Sequence, residues 1–213
     1  MGRSFVLLAA VGLLHAQNWP MFRGQGASGV AEGQNLPDSW NVETSENVRW
    51  KAAIPGMGHS SPVIWGNRLF VTTAVSSDRN PVFQTKTTGV IDRRSDVARQ
   101  TWRLLAIDKD TGKILWQKKV YEGEPRIRRH PKNSYASATP ATDGKYVVAM
   151  FGSEGLYAFT VDGDLLWKQD LGTIDATASY DESYVWGPAS SPDRKSTRLN
   201  SSHIQKSRMP SSA

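Results

Sequence analysis

Short apolar stretches alternate with polar turns along the middle of the chain, and the pattern repeats. The stretch "SSPVIWGNRLFVTTA" at residues 60–74 aligns with "SATPATDGKYVVAMF" at residues 137–151. In each copy a two-residue turn containing Gly66 or Gly144 separates two apolar segments. A turn of this composition between apolar segments predicts a β-hairpin.

A second hairpin follows each of these copies. "LLAIDKDTGKILWQKKV" at residues 104–120 matches "LYAFTVDGDLLWKQDL" at residues 156–171, so each repeat holds four short strands. Trp116 and Trp167 lie 51 residues apart, and about fifty residues for four strands is the spacing of propeller blades. The sequence predicts an all-β propeller with about two complete blades and partial flanking strands.

The loop "AIDKDTGKILW" allows two interpretations. Asp108 and Asp110 before Gly112 have the look of a calcium loop, which needs carboxylates at fixed offsets and a glycine at the sharp turn. The second copy, "TVDGDLLW", places its acids in a different register against Gly163. A β-turn needs only Asp or Asn and a glycine that accepts positive φ. We therefore expect a turn, and no metal site.

The same letters carry a family resemblance. "AIDKDTGKILW" resembles the pyrroloquinoline quinone (PQQ) repeat, and "AFTVDGDLLW" is a shortened version of it. The resemblance implies a bacterial, exported PQQ-like propeller protein related to quinoprotein alcohol dehydrogenases, of which this chain is an N-terminal fragment. In such repeats the Trp lies over the backbone of the next blade and the small Ala leaves room for it. The expected blade-docking residues are Ala106, Gly112, Trp116, Ala158, Gly163, Trp167 and Trp50.

Trp50, in "NVRWKAAIP", occupies the corresponding position before the first repeat. We expect it to belong to a strand that the N-terminal part contributes to the last blade.

The two ends of the chain differ from this pattern. Residues 1–16 combine Arg3 with the apolar run "FVLLAAVGLL", which is typical of a signal peptide and too short to span a bilayer. Residues 17–49 form an N-terminal extended segment and residues 50–192 the propeller part. The tail at residues 193–213 resembles the translation of a sequencing-library adapter, so we set it aside from the fold.

Charge and composition exclude several classes of protein. The chain has 26 Lys and Arg against 20 Asp and Glu, but without the tail and Arg3 the counts are 20 and 19. A near-neutral balance does not favour nucleic acid or anionic lipid as a partner. Cysteine is absent, which excludes disulfides and thiolate metal sites, and no run of eighteen apolar residues predicts a membrane span.

One polar stretch is a candidate binding loop. "RIRRHPK" at residues 126–132 precedes the first strand of the second blade, where propeller loops gather near the central channel. The candidate residues for an anionic ligand or partner are Arg128, Arg129, His130 and Lys132. The alternative is a solvated connection between blades.

Two function classes remain open at this point. The first is an exported, periplasmic or secreted scaffold or binding module without catalysis, whose propeller loops bind a protein or a small molecule. The alternative is part of a quinoprotein alcohol dehydrogenase that binds PQQ and calcium. The resemblance is specific for the fold and far less so for activity.

Overall fold

A computed structural model describes residues 18–79, 97–174, 177–178, 181–185 and 187–193. The predicted signal peptide and all but the first residue of the predicted tail lie outside the described residues. Helical structure in the described part is confined to two short 3-10 turns at Gln25–Ala27 and Gly152–Glu154. Neither turn approaches the length or apolar character needed to cross a membrane.

The first repeat folds into a four-stranded antiparallel sheet. Its strands follow one another in chain order, and each pairs with the next. They are β1 (Val63–Trp65), β2 (Arg68–Ser76), β3 (Gln100–Asp108) and β4 (Ile114–Gly123). Residues 80–96, between β2 and β3, lie outside the described residues.

The second repeat builds the same kind of sheet with shorter strands. They are β5 (Ala141–Thr142), β6 (Tyr146–Met150), β7 (Leu156–Thr160) and β8 (Leu165–Gln169), again paired in chain order. Two further strands, β9 (Thr177–Ala178) and β10 (Asp181–Val185), pair with each other. Two meandering four-stranded sheets are the architecture of consecutive propeller blades, so the predicted all-β fold is confirmed.

The apolar core is shared between the two blades. Phe70 on β2 and Leu104 on β3 are fully buried in the same cluster as Val147 and Phe159 of the second blade. Trp102 Nε1 donates a hydrogen bond of 3.0 Å to the Tyr135 carbonyl, just before the second blade. Burial of large apolar side chains between the sheets is the main favourable contribution to such packing.

Backbone and hydroxyl groups also join the blades at their first strands. The amides of His59 and Ser60 donate to the Ala136 carbonyl at 3.0 and 3.1 Å. The Ser61 amide donates to Thr139 Oγ1 at 3.0 Å. The Thr139 amide in turn donates to Ser191 Oγ at 2.9 Å. The hydroxyls of Thr139 and Ser191 therefore each accept a bond from an amide in the preceding segment of this type.

The N-terminal segment packs along the start of the first blade. Trp19 pairs with Ile64 of β1 in an antiparallel bridge, and the Pro20 carbonyl accepts a bond from the Thr142 amide. The strand predicted at Trp50 is absent from the described residues, since residues 48–56 have no regular strand pairing. The Trp50 side chain, rather than its backbone, makes the contact there.

Candidate binding site at the inter-blade loop

Trp116 crosses from the first blade to the second. Its ring lies between Phe70 of its own blade and Phe159 of the next, with centroid distances of 6.0 and 6.4 Å. Its Nε1 donates to the Val161 carbonyl at 3.1 Å. A Cβ atom on Gly163 would lie 3.0 Å from the Trp116 ring, so the turn approaches as closely as a glycine allows.

Trp50 repeats this arrangement on the first blade. Its Nε1 donates to the Lys109 carbonyl at 2.8 Å, and its ring lies over Gly112. The equivalent Trp167 on β8 is 44 % exposed, and its Nε1 makes no hydrogen bond to the described residues. Two of the three tryptophans thus cover a glycine turn within the described part of the chain.

The two motif alanines lie opposite the tryptophans across the sheet. Ala106 on β3 is the register partner of Trp116 on β4, and Ala158 on β7 is that of Trp167 on β8. Both alanines are buried. A small residue at this position leaves space for the indole beside it.

The Asp108 loop is a hydrogen-bonded turn. Asp108 Oδ1 accepts bonds from the amides of Asp110 and Thr111 and from the Thr111 hydroxyl, at 3.1, 2.7 and 2.8 Å. Its Oδ2 accepts a bond from Asn67 Nδ2. These bonds hold the pKa of Asp108 below its usual range, and those from Thr111 have the largest effect. Both carboxylate oxygens of Asp108 therefore accept hydrogen bonds from the protein.

The described residues contain no group of three or more acids and histidines arranged to hold a metal ion.

Two of the four candidate residues in the basic loop face inward. Arg129 is only 4 % exposed, and its Nη1 donates to the Asn133 carbonyl at 2.8 Å. Its guanidinium also lies 5.7 Å from the centre of the Tyr135 ring. His130 is 5 % exposed, and its Nδ1 accepts a bond from the Lys132 amide. Burial lowers the pKa of His130, and the positive charge of Lys132 lowers it further.

Arg129 and His130 are therefore buried in contacts that hold the shape of the loop. The charged groups of the other two candidate residues, Arg128 and Lys132, take no part in these hydrogen bonds within the loop. Arg128 is exposed, and its guanidinium makes no hydrogen bond or ion pair with the part of the chain that the structure describes. Lys132 is half-buried, with only its backbone amide engaged among the described residues.

An ion pair that the sequence analysis did not anticipate anchors the loop at its start. Arg126 forms two parallel bonds to the Asp170 carboxylate, at 2.5 and 2.8 Å, and a third to the Ser153 carbonyl. The bond to Arg126 lowers the pKa of Asp170 to about 2, helped by the Gly172 amide. The pair joins the loop to the end of β8 across 44 residues of sequence.

Glu154 is a second residue that the sequence analysis missed. It is 8 % exposed, and its Oε1 accepts a bond of 3.0 Å from the Arg126 amide. Burial raises the pKa of Glu154, and the bond from the Arg126 amide opposes that rise.

Glu154 lines a small cleft of about 20 Å³ between the basic loop and the second blade, which is room for about one water molecule. We call it the Glu154 cleft; its walls include Ile127, Arg128, Arg129, Tyr135, Phe151 and Pro188.

The comparison with known proteins agrees with this architecture. A family model of PQQ repeats, described as outer membrane protein assembly factor BamB, matches residues 39–185, which is more than half of the chain. The chain belongs to this PQQ-like repeat family. No curated protein matches the chain.

Membership of the PQQ-like repeat family covers both blades and the loop between them. The matched range contains all seven motif residues and the whole basic run at residues 126–132. The family match therefore accounts for the repeated sheets. It does not assign a role to the Glu154 cleft.

The missed residues carried little sequence signal. Glu154 follows "FGS" in a stretch without acidic neighbours, and nothing in its spacing distinguishes it from a surface glutamate. Thr139 precedes Pro140 and Ser191 precedes Pro192 in two similar short segments of the sequence. The hydrogen bond between them required the packed blades.

Proposed function

We propose that the protein is an exported PQQ-like propeller that acts as a non-catalytic scaffold or binding module, with residues 126–132 contacting its partner. The observation that carries the proposal is that some polar groups bond within the protein and one charged group does not. The motif residues and Asp108 engage other parts of the protein, whereas Arg128 keeps an unpaired charge, among the described residues, at the rim of the Glu154 cleft.

Two further observations support the proposal. The matching family model is described as an assembly factor of the outer membrane, and such a role is binding rather than catalysis. The apolar run from Phe5 to Leu14 behind Arg3 is typical of a signal peptide, which suits a protein that works outside the cytoplasm.

In this proposal the tryptophans, glycines and alanines of the motif are structural. Trp116 and Trp50 hold successive units together by covering a glycine turn and donating to a carbonyl beside it. These contacts leave the loops between blades free to vary, and propeller loops commonly carry binding residues.

Export is tested by expressing the full chain in a bacterium and fractionating the cells. The expected result is a periplasmic protein whose first residue is Gln17. A matched variant with Leu7→Arg and Leu8→Arg should stay in the cytoplasm, because charges interrupt the apolar run. Cytoplasmic wild-type protein that retains Met1 would contradict the proposal.

Catalysis is tested by calorimetry with PQQ and calcium, followed by dye reduction with ethanol as the substrate. The expected result is neither binding nor PQQ-dependent reduction, with a quinoprotein dehydrogenase run alongside as the positive control. Stoichiometric PQQ binding with turnover would favour the dehydrogenase instead.

A further inference from the structure

The N-terminal segment contains an open groove of about 530 Å³, which we call the N-terminal groove. Residues 35–37, 45 and 47–49 form its walls. Its volume lies within the range of roughly 300–1,000 Å³ that is usual for small-molecule sites. We propose that the N-terminal groove binds a neutral saccharide, whose hydroxyl groups bond to the side chains of Asn35, Ser45 and Asn47.

Three wall residues carry neutral polar side chains. Asn35 and Asn47 each have an amide, which both donates and accepts hydrogen bonds, and Ser45 has a hydroxyl with the same double capacity. A sugar hydroxyl also donates and accepts. The polar groups of the walls therefore match a ligand that is rich in hydroxyl groups.

The charges at the groove favour a neutral ligand over an ionic one. Of the described wall residues Arg49 alone is charged, and its Nη1 lies 3.2 Å from Asp110 Oδ1. An anion that approaches Arg49 therefore also meets the negative charge of Asp110, whereas a cation is repelled by Arg49 itself. A neutral hydroxyl group meets neither penalty.

The other wall residues give the groove apolar surface. They are Leu36, Pro37 and Val48, and the Leu36 side chain is 73 % exposed. A pyranose ring presents C–H groups as well as hydroxyls, and contact between C–H groups and apolar side chains removes both from water. Apolar walls with a few polar groups are the usual composition of a small-molecule site.

Hydrogen bonds within the segment hold the groove in shape before a ligand binds. Asn47 Nδ2 donates to the Ser39 carbonyl at 2.9 Å, and the Asn41 amide donates to the Glu46 carbonyl at 3.0 Å. Less of the segment must be ordered on binding, which reduces the entropic cost of association.

Two of the polar wall residues have unusual backbone conformations. The φ of Ser45 is 63° and that of Asn47 is 54°, both in the left-handed region that side chains adopt at a cost. Residues of this kind are concentrated at ligand sites, where the surrounding structure holds them in place. The backbone at Ser45 and Asn47 therefore supports the assignment of a binding role to these walls.

An exposed tryptophan adjoins a residue that bonds to the groove wall. Trp40 is 69 % exposed, and it follows Ser39, whose carbonyl accepts the bond from Asn47. The flat apolar face of an indole can pack against the C–H groups of a sugar ring. We expect Trp40 to contact a saccharide that is long enough to extend beyond the groove.

The test is a titration of the full chain with cellotriose and with the trimer of N-acetylglucosamine, followed by the NMR shifts of the backbone amides. At least one sugar should cause saturable shifts among residues 35–49. Trigalacturonic acid, a charged counterpart, should bind at least about fivefold more weakly because its carboxylates meet Asp110. Absence of saturable shifts with both neutral sugars, or tighter binding of the acid, would overturn the inference.

Asn35→Ala tests the polar contacts. It should weaken binding of the neutral trisaccharide at least about fivefold, because it removes an amide that bonds to the ligand. Gln34→Ala is the matched control, since Gln34 is an exposed amide next to Asn35 and lies outside the walls; it should change the affinity by less than about twofold. Equal losses in the two variants would overturn the role of Asn35.

Two further variants complete the test. If Asn35→Ala alters amide shifts outside residues 30–50 in the free protein, Ser45→Ala replaces it; it should weaken binding about threefold, and unchanged affinity would overturn the inference. Trp40→Ala should weaken binding of cellotriose more than binding of cellobiose. Equal effects on the two sugars would overturn the contact assigned to Trp40.

The N-terminal groove and the basic loop at residues 126–132 share no residue. Failure of the saccharide to bind therefore leaves the proposed scaffold function untouched. Failure of export, or turnover with PQQ, would contradict the proposed function without bearing on the groove.

Discussion

Gly112 is a residue at which two constraints coincide. Its φ of 73° lies in the left-handed region, which side chains adopt at a cost. A Cβ atom there would also come within 2.6 Å of the Trp50 ring. The backbone shape of the turn and the position of the Trp50 ring therefore both require that residue 112 has no side chain.

We expect Gly112→Ala to destabilise the protein more than Gly66→Ala. Gly66 also has a positive φ, 58°, but nothing in the described part of the chain lies within 4 Å of the place that a Cβ atom would occupy, so alanine there meets backbone strain alone. That strain costs about 1–2 kcal/mol at either site. Displacing Trp50 should add about 1–3 kcal/mol at Gly112. Urea unfolding measures the difference, and equal losses would show that Trp50 does not depend on the glycine.

At the scale of elements, the Arg126–Asp170 pair links the inter-blade loop to β8. Every residue of β8 is exposed, so this edge strand has little burial to hold its end in place. The two parallel bonds to Asp170, together with the Arg126 bond to the Ser153 carbonyl, fix the loop against the second blade. The base of the Glu154 cleft is part of the same network.

This pair predicts a dependence of stability on pH. The pKa of Asp170 falls from its ordinary 3.8 to about 2 in the folded protein, so the folded state favours the ionised form. The stabilisation is present above about pH 4 and is lost as the pH falls towards 2. Asp170→Asn should make the free energy of unfolding less dependent on pH in this window.

Urea titrations at several pH values test the prediction, with Asp38→Asn as a control for the loss of one carboxylate. An unchanged slope in Asp170→Asn would contradict the role of the pair.

The elements themselves were largely predictable. The apolar segments around Gly66, Gly144, Gly112 and Gly163 gave four hairpins because turn residues and apolar alternation are local signals. The strand expected at Trp50 did not form, because pairing also needs a partner strand beside it. Sequence periodicity carries no information about such a partner.

The candidate site was predictable only in part. The charge of residues 126–132 marked the loop, but the sequence could not show that Arg129 and His130 turn inward while Arg128 remains outside. Glu154 and Asp170 lie 28 and 44 residues from Arg126, and only the packed sheet brings them together. Such long-range contacts leave no periodic trace in the chain.

At the scale of the whole molecule, the central claim is that the motif tryptophan joins one blade to the next. Trp116 contacts both blades, covers the Gly163 turn and donates to the Val161 carbonyl. Trp167 has the same place in its own repeat, yet it is 44 % exposed. The chain therefore contains a matched pair of residues with the same motif position and different surroundings.

The most direct measurement is the free energy of unfolding of Trp116→Ala and Trp167→Ala, obtained from urea titrations followed by circular dichroism. Trp116→Ala should lose roughly 2–4 kcal/mol, because it removes a large ring from between two blades. Trp167→Ala should lose less than about 1 kcal/mol, as is usual for an exposed residue. Similar losses at the two positions would contradict the claim that Trp116 docks the blades.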